Sequence, residues 1–101
     1  MIAYNVTIKI DKEIEKEWLE WMKNEYIPGI LATGLFNEYK FYHLLDHDEN
    51  DTITYIIQHF APTFENYETY TEKFLAQSKK NAREKWNDKF ISFHTVMEIV
   101  N

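Results

Sequence analysis

The sequence contains no cysteine, two glycines, two prolines and a single arginine, Arg83. Without cysteine there are no disulfides, no thiolate nucleophiles and no metal sites with cysteine ligands. Two glycines are too few for a glycine-rich phosphate-binding loop, which needs several close together. Acidic residues number 17 against 11 lysines and arginines, and the net charge is −6. An acidic chain repels the phosphate backbone, so we expect no nucleic-acid partner.

Long apolar runs are also missing from the sequence. No segment approaches the roughly 18 apolar residues of a membrane helix, and the first residues lack the basic-then-apolar pattern of a signal peptide. We therefore expect a cytoplasmic protein with no membrane partner. The 101 residues suffice for one hydrophobic core, which predicts a single domain over residues 1–101.

Aromatic residues, in contrast, are abundant. They make up 17% of the chain, and apolar residues as a whole make up 45%. Each buried aromatic side chain removes roughly 150–250 Å² of surface from water, so this composition predicts a packed core rather than disorder. Trp18, Trp21 and Trp86 lie at helical spacing, and we interpret them as core residues rather than as an aromatic ligand platform.

Four segments alternate between apolar and polar residues with a period of two, which is typical of strands that face a core on one side. They are residues 2–10, 35–45, 52–60 and 89–100. A short polar segment, residues 46–51, separates the second strand from the third and predicts a hairpin.

Two segments have helical spacing instead. The first follows Asp11, a predicted N-cap, and Pro28-Gly29 is expected to stop or kink it near Tyr26, before a short further turn. The second helix is predicted to begin after the N-cap Thr63 and to continue for about six turns.

The order strand, helix, strand, strand, helix, strand predicts an α+β protein with the ferredoxin-like βαββαβ fold. Right-handed crossovers place both helices on one face of a four-stranded antiparallel sheet, with the first strand in its centre. If the more apolar set of each strand faces the helices, the last strand contributes Ile91, Phe93, Met97 and Ile99 to the core. The opposite, open face is then predicted to carry Asn5, Thr7, Lys9, Glu38, Lys40, Tyr42, Thr54, Ile56, Gln58, Ser92, His94, Val96 and Glu98.

Several segments resemble a family known only as domain-of-unknown-function family 4286, and the resemblance covers nearly the whole chain. They are Tyr4-Asn5-Val6-Thr7, Trp18-Leu19-x-Trp21-Met22, Ile27-Pro28, Leu31-Ala32-Thr33-Gly34-Leu35-Phe36 and the late strand with Phe90, Phe93 and Glu98-Ile99-Val100. The resemblance implies a ferredoxin-like fold allied to the dimeric α/β-barrel proteins, in which two sheets pair across their open faces. It implies no activity, cofactor or catalytic residue, so we expect no cofactor on this basis. Related barrel families include small monooxygenases, haem-degrading enzymes and isomerases, an analogy of fold alone.

The predicted open face mixes apolar and polar side chains, which suits a homodimer with a partly enclosed pocket between two sheets. The leading hypothesis is a homodimeric α/β-barrel protein that binds an unknown small molecule there, with Asn5, Glu38, Gln58 and His94 as ligand-binding residues. The alternative is a non-catalytic dimerisation or protein-interaction module without a small-molecule site. A regulatory amino-acid sensor of similar topology is a third hypothesis, weakened by the absence of a glycine-rich loop after the first strand.

Catalysis stays open at this point. His94 with Glu38 or Glu98 could form an acid/base pair, because a histidine titrates near neutrality and a carboxylate can orient it. No nucleophile or second motif supports that pair, and a structural histidine is the ordinary alternative. The sequence therefore identifies no catalytic residue and leaves open whether the protein is an enzyme.

A metal site is not expected either. Asp46, Asp48 and Asn50 imitate the alternating ligands of a calcium loop, but Asp51 stands where that loop needs glycine. Ile57 stands at the position of the bidentate glutamate. His43, His47 and His59 could suggest a metal as well, yet a solvated hairpin accounts for the acidic turn.

Overall fold

The computed structural model describes residues 1–45 and 50–101. These residues form four strands: β1 (Ile2–Asp11), β2 (Glu38–His43), β3 (Thr52–Ala61) and β4 (Phe90–Glu98). All neighbours pair antiparallel in the order β2-β3-β1-β4. The predicted ferredoxin-like architecture, with the first strand inside the sheet, is confirmed.

The first crossover is one long helical segment of changing pitch. A 3-10 turn (Lys12–Ile14) leads into α1 (Glu15–Trp21), a π-helical turn (Met22–Tyr26) and α2 (Ile27–Leu31). The segment continues past Pro28, where the sequence predicted a stop or kink, and the π-helical turn directly precedes the helix that contains this proline. Asp11 occupies the N-cap position, as predicted, but its side chain makes no capping hydrogen bond.

The second crossover consists of α3 (Phe64–Lys73) and α4 (Leu75–Trp86). Thr63 caps α3, since its hydroxyl oxygen accepts a hydrogen bond from the Asn66 backbone N–H at 3.2 Å. The predicted single helix is interrupted at Phe74, whose φ of −126° departs from helical geometry. Asn87, with a φ of 55° and a ψ of −123°, ends α4 with a positive φ, which asparagine adopts more often than most residues.

The second and third strands pair as predicted, with Tyr42 opposite Ile56 and Lys40 opposite Gln58. Residues 46–49 of the connecting turn lie outside the described residues. The resemblance of Asp46 and Asp48 to calcium ligands, and the metal alternative for His47, fall in that part of the chain.

The hydrophobic core lies between the helices and one face of the sheet. Tyr4 and Ile57 form its floor on the central strands, while Trp18 and Met22 cover it from the first crossover. Trp86 closes the core from the end of α4. The interpretation of Trp18 and Trp86 as core residues is confirmed by their burial.

Strand β4 presents the opposite face from the one that the sequence predicted. Residues directly opposite each other in an antiparallel pair share a face, and His94 stands opposite Val6, whose side chain is buried beneath the helices. His94 therefore faces the helices and not the open face, and Ser92, Val96 and Glu98 share its side of β4. The prediction was wrong because both sets of β4 side chains contain apolar residues, and only the register with β1 decides between them.

The open face consequently carries the more apolar side of β4. Phe93 is 61% exposed and Ile91 is 57% exposed, and Met97 is exposed on the same strand, while Tyr42 is exposed on the opposite edge strand β2. On the central strands this face is polar around Asn5 and Gln58. Large exposed apolar side chains on one sheet face are typical of a surface that another chain covers.

Candidate functional site

The helices and the sheet form a partly open cavity of about 250 Å³, which we call the helix–sheet cavity. Side chains from β1, β4, α1, the π-helical turn and α4 line it. Five of its 14 lining residues are aromatic, and the rings belong to Trp18, Trp21, Tyr26, Trp86 and Phe90. A concave site that combines ring surface with convergent polar groups is the usual construction of a small-molecule site.

His94 is the central polar group of this cavity. Its Nδ1 lies 2.7 Å from the Tyr4 hydroxyl, and its Nε2 lies 3.2 Å from the Ser92 hydroxyl. With the Tyr4 hydroxyl as donor to Nδ1, the proton of neutral His94 is on Nε2 and points to Ser92. The ring also stacks against Tyr4, with centroids 5.9 Å apart. Two hydrogen bonds and one stacked ring therefore fix its orientation.

His94 and Tyr4 are both uncharged near neutral pH. Burial is the main cause that lowers the pKa of His94, and the nearby positive charge of Lys79 lowers it further. Burial also raises the pKa of Tyr4 far above its ordinary value, so this hydroxyl keeps its proton. The cavity thus contains a neutral hydrogen-bonded pair rather than an ion pair.

Trp86 adds an unused hydrogen-bond donor. This residue is only 8% exposed, and its indole Nε1 has no hydrogen-bond partner among residues 1–45 and 50–101. The rings of Trp86 and Trp21 meet edge to face at 5.8 Å. A buried donor without a partner destabilises the folded protein by about 1–3 kcal/mol, so an acceptor at this position would be favourable.

Lys79 and Arg83 bring positive charge to the cavity from α4. Both side chains are exposed, and the guanidinium carbon of Arg83 lies 5.7 Å from the ring centroid of Phe90. Among the described lining residues these are the two cations, and none is a carboxylate.

A wider cleft of about 570 Å³ adjoins the helix–sheet cavity between the two helical segments. Trp21, Tyr26 and Ser78 line both spaces, and Glu25 and Glu84 line the cleft alone. Trp21 and Tyr26 flank the π-helical turn of the first crossover, one directly before it and one at its end. Turns of this type are frequent at functional sites, because the extra residue redirects neighbouring side chains.

The site residues predicted for the open face divide into two groups. Asn5 and Gln58 do come together, since Gln58 Nε2 donates to Asn5 Oδ1 at 3.2 Å. Tyr42 donates to Gln58 at 3.2 Å, and Asn5 donates to Thr7 at 3.4 Å, which completes a polar chain across three strands. Glu38 shares this face from the edge strand β2, opposite Phe60. His94 lies on the other side of the sheet, so the predicted convergence of all four residues is wrong.

The predicted acid/base pair of His94 with Glu38 is not formed. Glu38 and His94 lie on opposite faces of the sheet, and the hydrogen bonds of His94 go to Tyr4 and Ser92. The sequence did not identify Tyr4 and Trp86 as site residues, because an aromatic side chain at a core-facing position is ordinarily explained by core packing. Their polar tips were the available signal, since a buried hydroxyl or indole N–H requires a partner.

His43 and His59 face the helices, as predicted. His59 is 0% exposed beside the rings of Tyr26 and Phe36, and burial lowers its pKa to about 4 although the Ile27 backbone opposes the shift. No atom of the described residues meets hydrogen-bond geometry with either ring nitrogen of His59. Within the same described ranges, no group of three His, Asp or Glu side chains could hold a metal ion.

The strand order and the two crossovers define a ferredoxin-like α+β protein, and three solved structures have this fold in common with the chain. An ethyl tert-butyl ether d (ethd) family protein from Bacillus halodurans c-125 is 11% identical, with a TM-score of 0.67 over 99% of this chain and 100% of that one. An antibiotic biosynthesis monooxygenase is 13% identical, with a TM-score of 0.67 over the whole of both chains. A dimeric ferredoxin-like protein from an uncultured marine organism is 13% identical, with a TM-score of 0.66 over 100% of this chain and 96% of that one.

The sequence family described as Domain of unknown function (DUF4286) matches residues 1–100, and the chain belongs to this family. The resemblance identified from the sequence is thereby confirmed. No functionally curated protein matches the chain. Among the helices of the described residues, none is long and apolar enough to cross a membrane.

Proposed function

We propose that the protein binds a small molecule in the helix–sheet cavity. The observation that carries this proposal is that Trp86, which lines the cavity, has a buried indole N–H without a hydrogen-bond partner in the described chain. A ligand that places an acceptor oxygen beside Nε1 removes the desolvation penalty of this group. The aromatic walls then provide the apolar contact area for the rest of the ligand.

Ser92 supplies the second polar contact, because it lines the cavity and its hydroxyl, which accepts from His94 Nε2, keeps its own proton to donate. Its partner His94 is held by the Tyr4 hydrogen bond and by the stacked rings. Few oriented polar groups in an apolar wall give a ligand one binding orientation. The proposal concerns binding and includes no reaction. The antibiotic biosynthesis monooxygenase is only 13% identical to this chain, so the similarity between them supports a shared fold and no shared activity.

Titration calorimetry with 2-naphthylmethanol, a neutral two-ring probe with one acceptor oxygen, tests the proposal. Ala82→Leu fills the cavity, because Ala82 lines it from α4, and should abolish binding. Ala76→Leu is the matched control, since Ala76 is exposed on the same helix and outside the lining. We expect binding to wild type and to Ala76→Leu only. Equal binding to wild type and Ala82→Leu would overturn the proposal, as would absence of binding to wild type by both this probe and 2-naphthoate, its carboxylate counterpart.

We further propose that two copies of the chain pair through their open sheet faces. The exposed side chains of Ile91, Phe93 and Met97 support a second copy as the occupant, because a face on a twofold axis must be self-complementary and these are apolar, with only Thr95 polar among the four open-face residues 91, 93, 95 and 97. Two similar structures are described as dimeric ferredoxin-like proteins. Burial of these side chains would remove the largest exposed apolar residues of the sheet from water.

The open face itself remains a candidate ligand site through Asn5, Glu38 and Gln58. The hydrogen bonds among Tyr42, Gln58 and Asn5 satisfy most of these polar groups internally, which favours the other candidate function, a dimer interface without a small molecule. In that case the protein is a dimerisation module. Binding of the neutral probe that survives Ala82→Leu but is lost in Gln58→Leu would favour the open-face site.

A further inference from the structure

We infer that the helix–sheet cavity selects an organic anion with a flat aromatic body, such as an aromatic monocarboxylate. This inference rests on the proposed function and adds the chemical class of the ligand. Three features of the cavity support it: the sign of the charge at its lining, the donor-only groups among its lining residues, and the arrangement of its rings.

The charge at the cavity is positive although the chain as a whole is acidic. Lys79 and Arg83 line it from α4 without a carboxylate among the described lining residues, while the net charge of the chain is −6. Lys79 is close enough to His94 to influence its ionisation, which places this positive charge near the inner polar group. A ligand with negative charge is attracted here, and a cationic ligand is repelled.

The polar groups inside the cavity favour an acceptor. Trp86 Nε1 is a donor only, and its N–H is buried without a partner among the described residues. Lysine and arginine are also donors only, whereas an ionised carboxylate is an acceptor only. A carboxylate therefore matches this set without leaving one of its own polar groups unpaired, whereas an amine would bring further donors.

The walls define the shape of the rest of the ligand. Trp21 and Trp86 stand nearly perpendicular, with an interplanar angle of 80°, and Trp18 and Phe90 add further ring surface. Flat rings pack against such walls in stacked and edge-to-face arrangements. An apolar cavity of about 150 Å³ holds a benzene ring. The volume of about 250 Å³ therefore suits a larger flat body, of about two fused rings.

The test compares 2-naphthoate with the neutral 2-naphthylmethanol by titration calorimetry on the intact protein. We expect 2-naphthoate to bind about tenfold more tightly, the usual advantage of charge-assisted hydrogen bonds. Lys79→Met should weaken 2-naphthoate about fivefold and leave the alcohol unchanged. Lys80→Met is the matched control, because Lys80 is exposed on the same helix, pairs with Glu84 at 3.8 Å and does not line the cavity. Rising ionic strength should weaken the naphthoate alone.

The indole N–H resonance of Trp86, assigned with Trp86→Phe, gives an independent readout. It should move downfield with 2-naphthoate, as the N–H acquires a carboxylate acceptor. Equal affinity for the two probes, together with no effect of Lys79→Met, would overturn the anion assignment while leaving the proposed function intact. Failure of both probes to bind would instead overturn the proposed function and this inference with it.

Discussion

The Tyr4 hydroxyl lies 2.7 Å from Nδ1 of His94, and this contact joins the central strand β1 to the edge strand β4 beneath the helices. It is a diagonal contact, since the residue directly opposite His94 is Val6 and the residue opposite Tyr4 is Val96. The contact explains how a half-buried histidine is accommodated on the helix side of the sheet. It also holds the ring that contributes a polar group to the helix–sheet cavity.

Tyr4→Phe should lower the free energy of unfolding by about 1–2 kcal/mol, because it leaves Nδ1 of a half-buried His94 without its partner. Urea unfolding measures the loss. Tyr42→Phe provides the comparison, since the Tyr42 hydroxyl donates to Gln58 on the exposed face and its removal should cost less. Equal losses in the two variants would contradict a structural role for the Tyr4–His94 contact.

Trp18→Ala should lower the free energy of unfolding by about 3–5 kcal/mol, the usual range for a fully buried large aromatic. The Trp18 side chain packs against Tyr55 and Phe41, with ring centroids 5.2 Å and 6.0 Å away. Glu17→Ala, at the neighbouring exposed position, should change stability by less than about 0.5 kcal/mol. A loss below about 1 kcal/mol for Trp18→Ala in urea melts would show that α1 does not pack as described.

Light scattering at micromolar concentration should give a mass near twice 12.3 kDa. Phe93→Glu places a charge in the proposed open-face interface and should shift the protein to a monomer. Phe64→Glu is the control, because Phe64 is 49% exposed but belongs to α3 rather than to the sheet. A mass near 12.3 kDa for wild type that does not rise with concentration would reject the homodimer.

Acidification should destabilise the protein between about pH 6.5 and pH 4, in part through His59. Burial lowers the pKa of folded His59 to about 4. The unfolded chain therefore binds this proton first as the pH falls, and stability that is complete above pH 6.5 is lost. The loss from this residue should reach about 3 kcal/mol near pH 4.

Urea unfolding of wild type and His59→Phe across this range provides the measurement. The variant keeps an aromatic ring among Tyr26 and Phe36 and removes the titrating group. It should retain only the smaller dependence that includes His94, whose pKa is also lowered by burial. An identical slope in both proteins would show that His59 is not the source.

The order of strands and helices could be predicted from the sequence, because the spacing of apolar residues directly reflects which side of each strand or helix is buried. Ile2, Tyr4, Val6, Ile8 and Ile10 recur at every second position, and this alternation identifies the side chains of β1 that face the helices. The start of the helix at Thr63 could also be predicted, since a threonine before an amphipathic segment ordinarily acts as its N-cap.

The candidate site was less accessible, because it depends on register and on packing between distant segments. The alternation along β4 correctly placed Ser92 and His94 on the same face, but the sequence of this strand does not show which of its two faces packs against the helices. The unpartnered N–H of Trp86 arises only when α4, the π-helical turn and the sheet come together. Contacts between segments that are distant in the chain leave no periodic pattern in the sequence, so this N–H could not be identified from it.

The π-helical turn gives the first crossover one residue more than regular α-helical geometry would use. Each α-helical residue turns the chain by about 100°, so α1 and α2 are out of phase by that angle. Deleting one residue within Met22–Tyr26 would bring the two halves back into phase and rotate the side chains of α2 relative to those of α1. The walls of the cavity thus depend on chain length at this point as well as on chemistry, and a one-residue deletion here would reshape the site without altering any residue that lines it from the sheet.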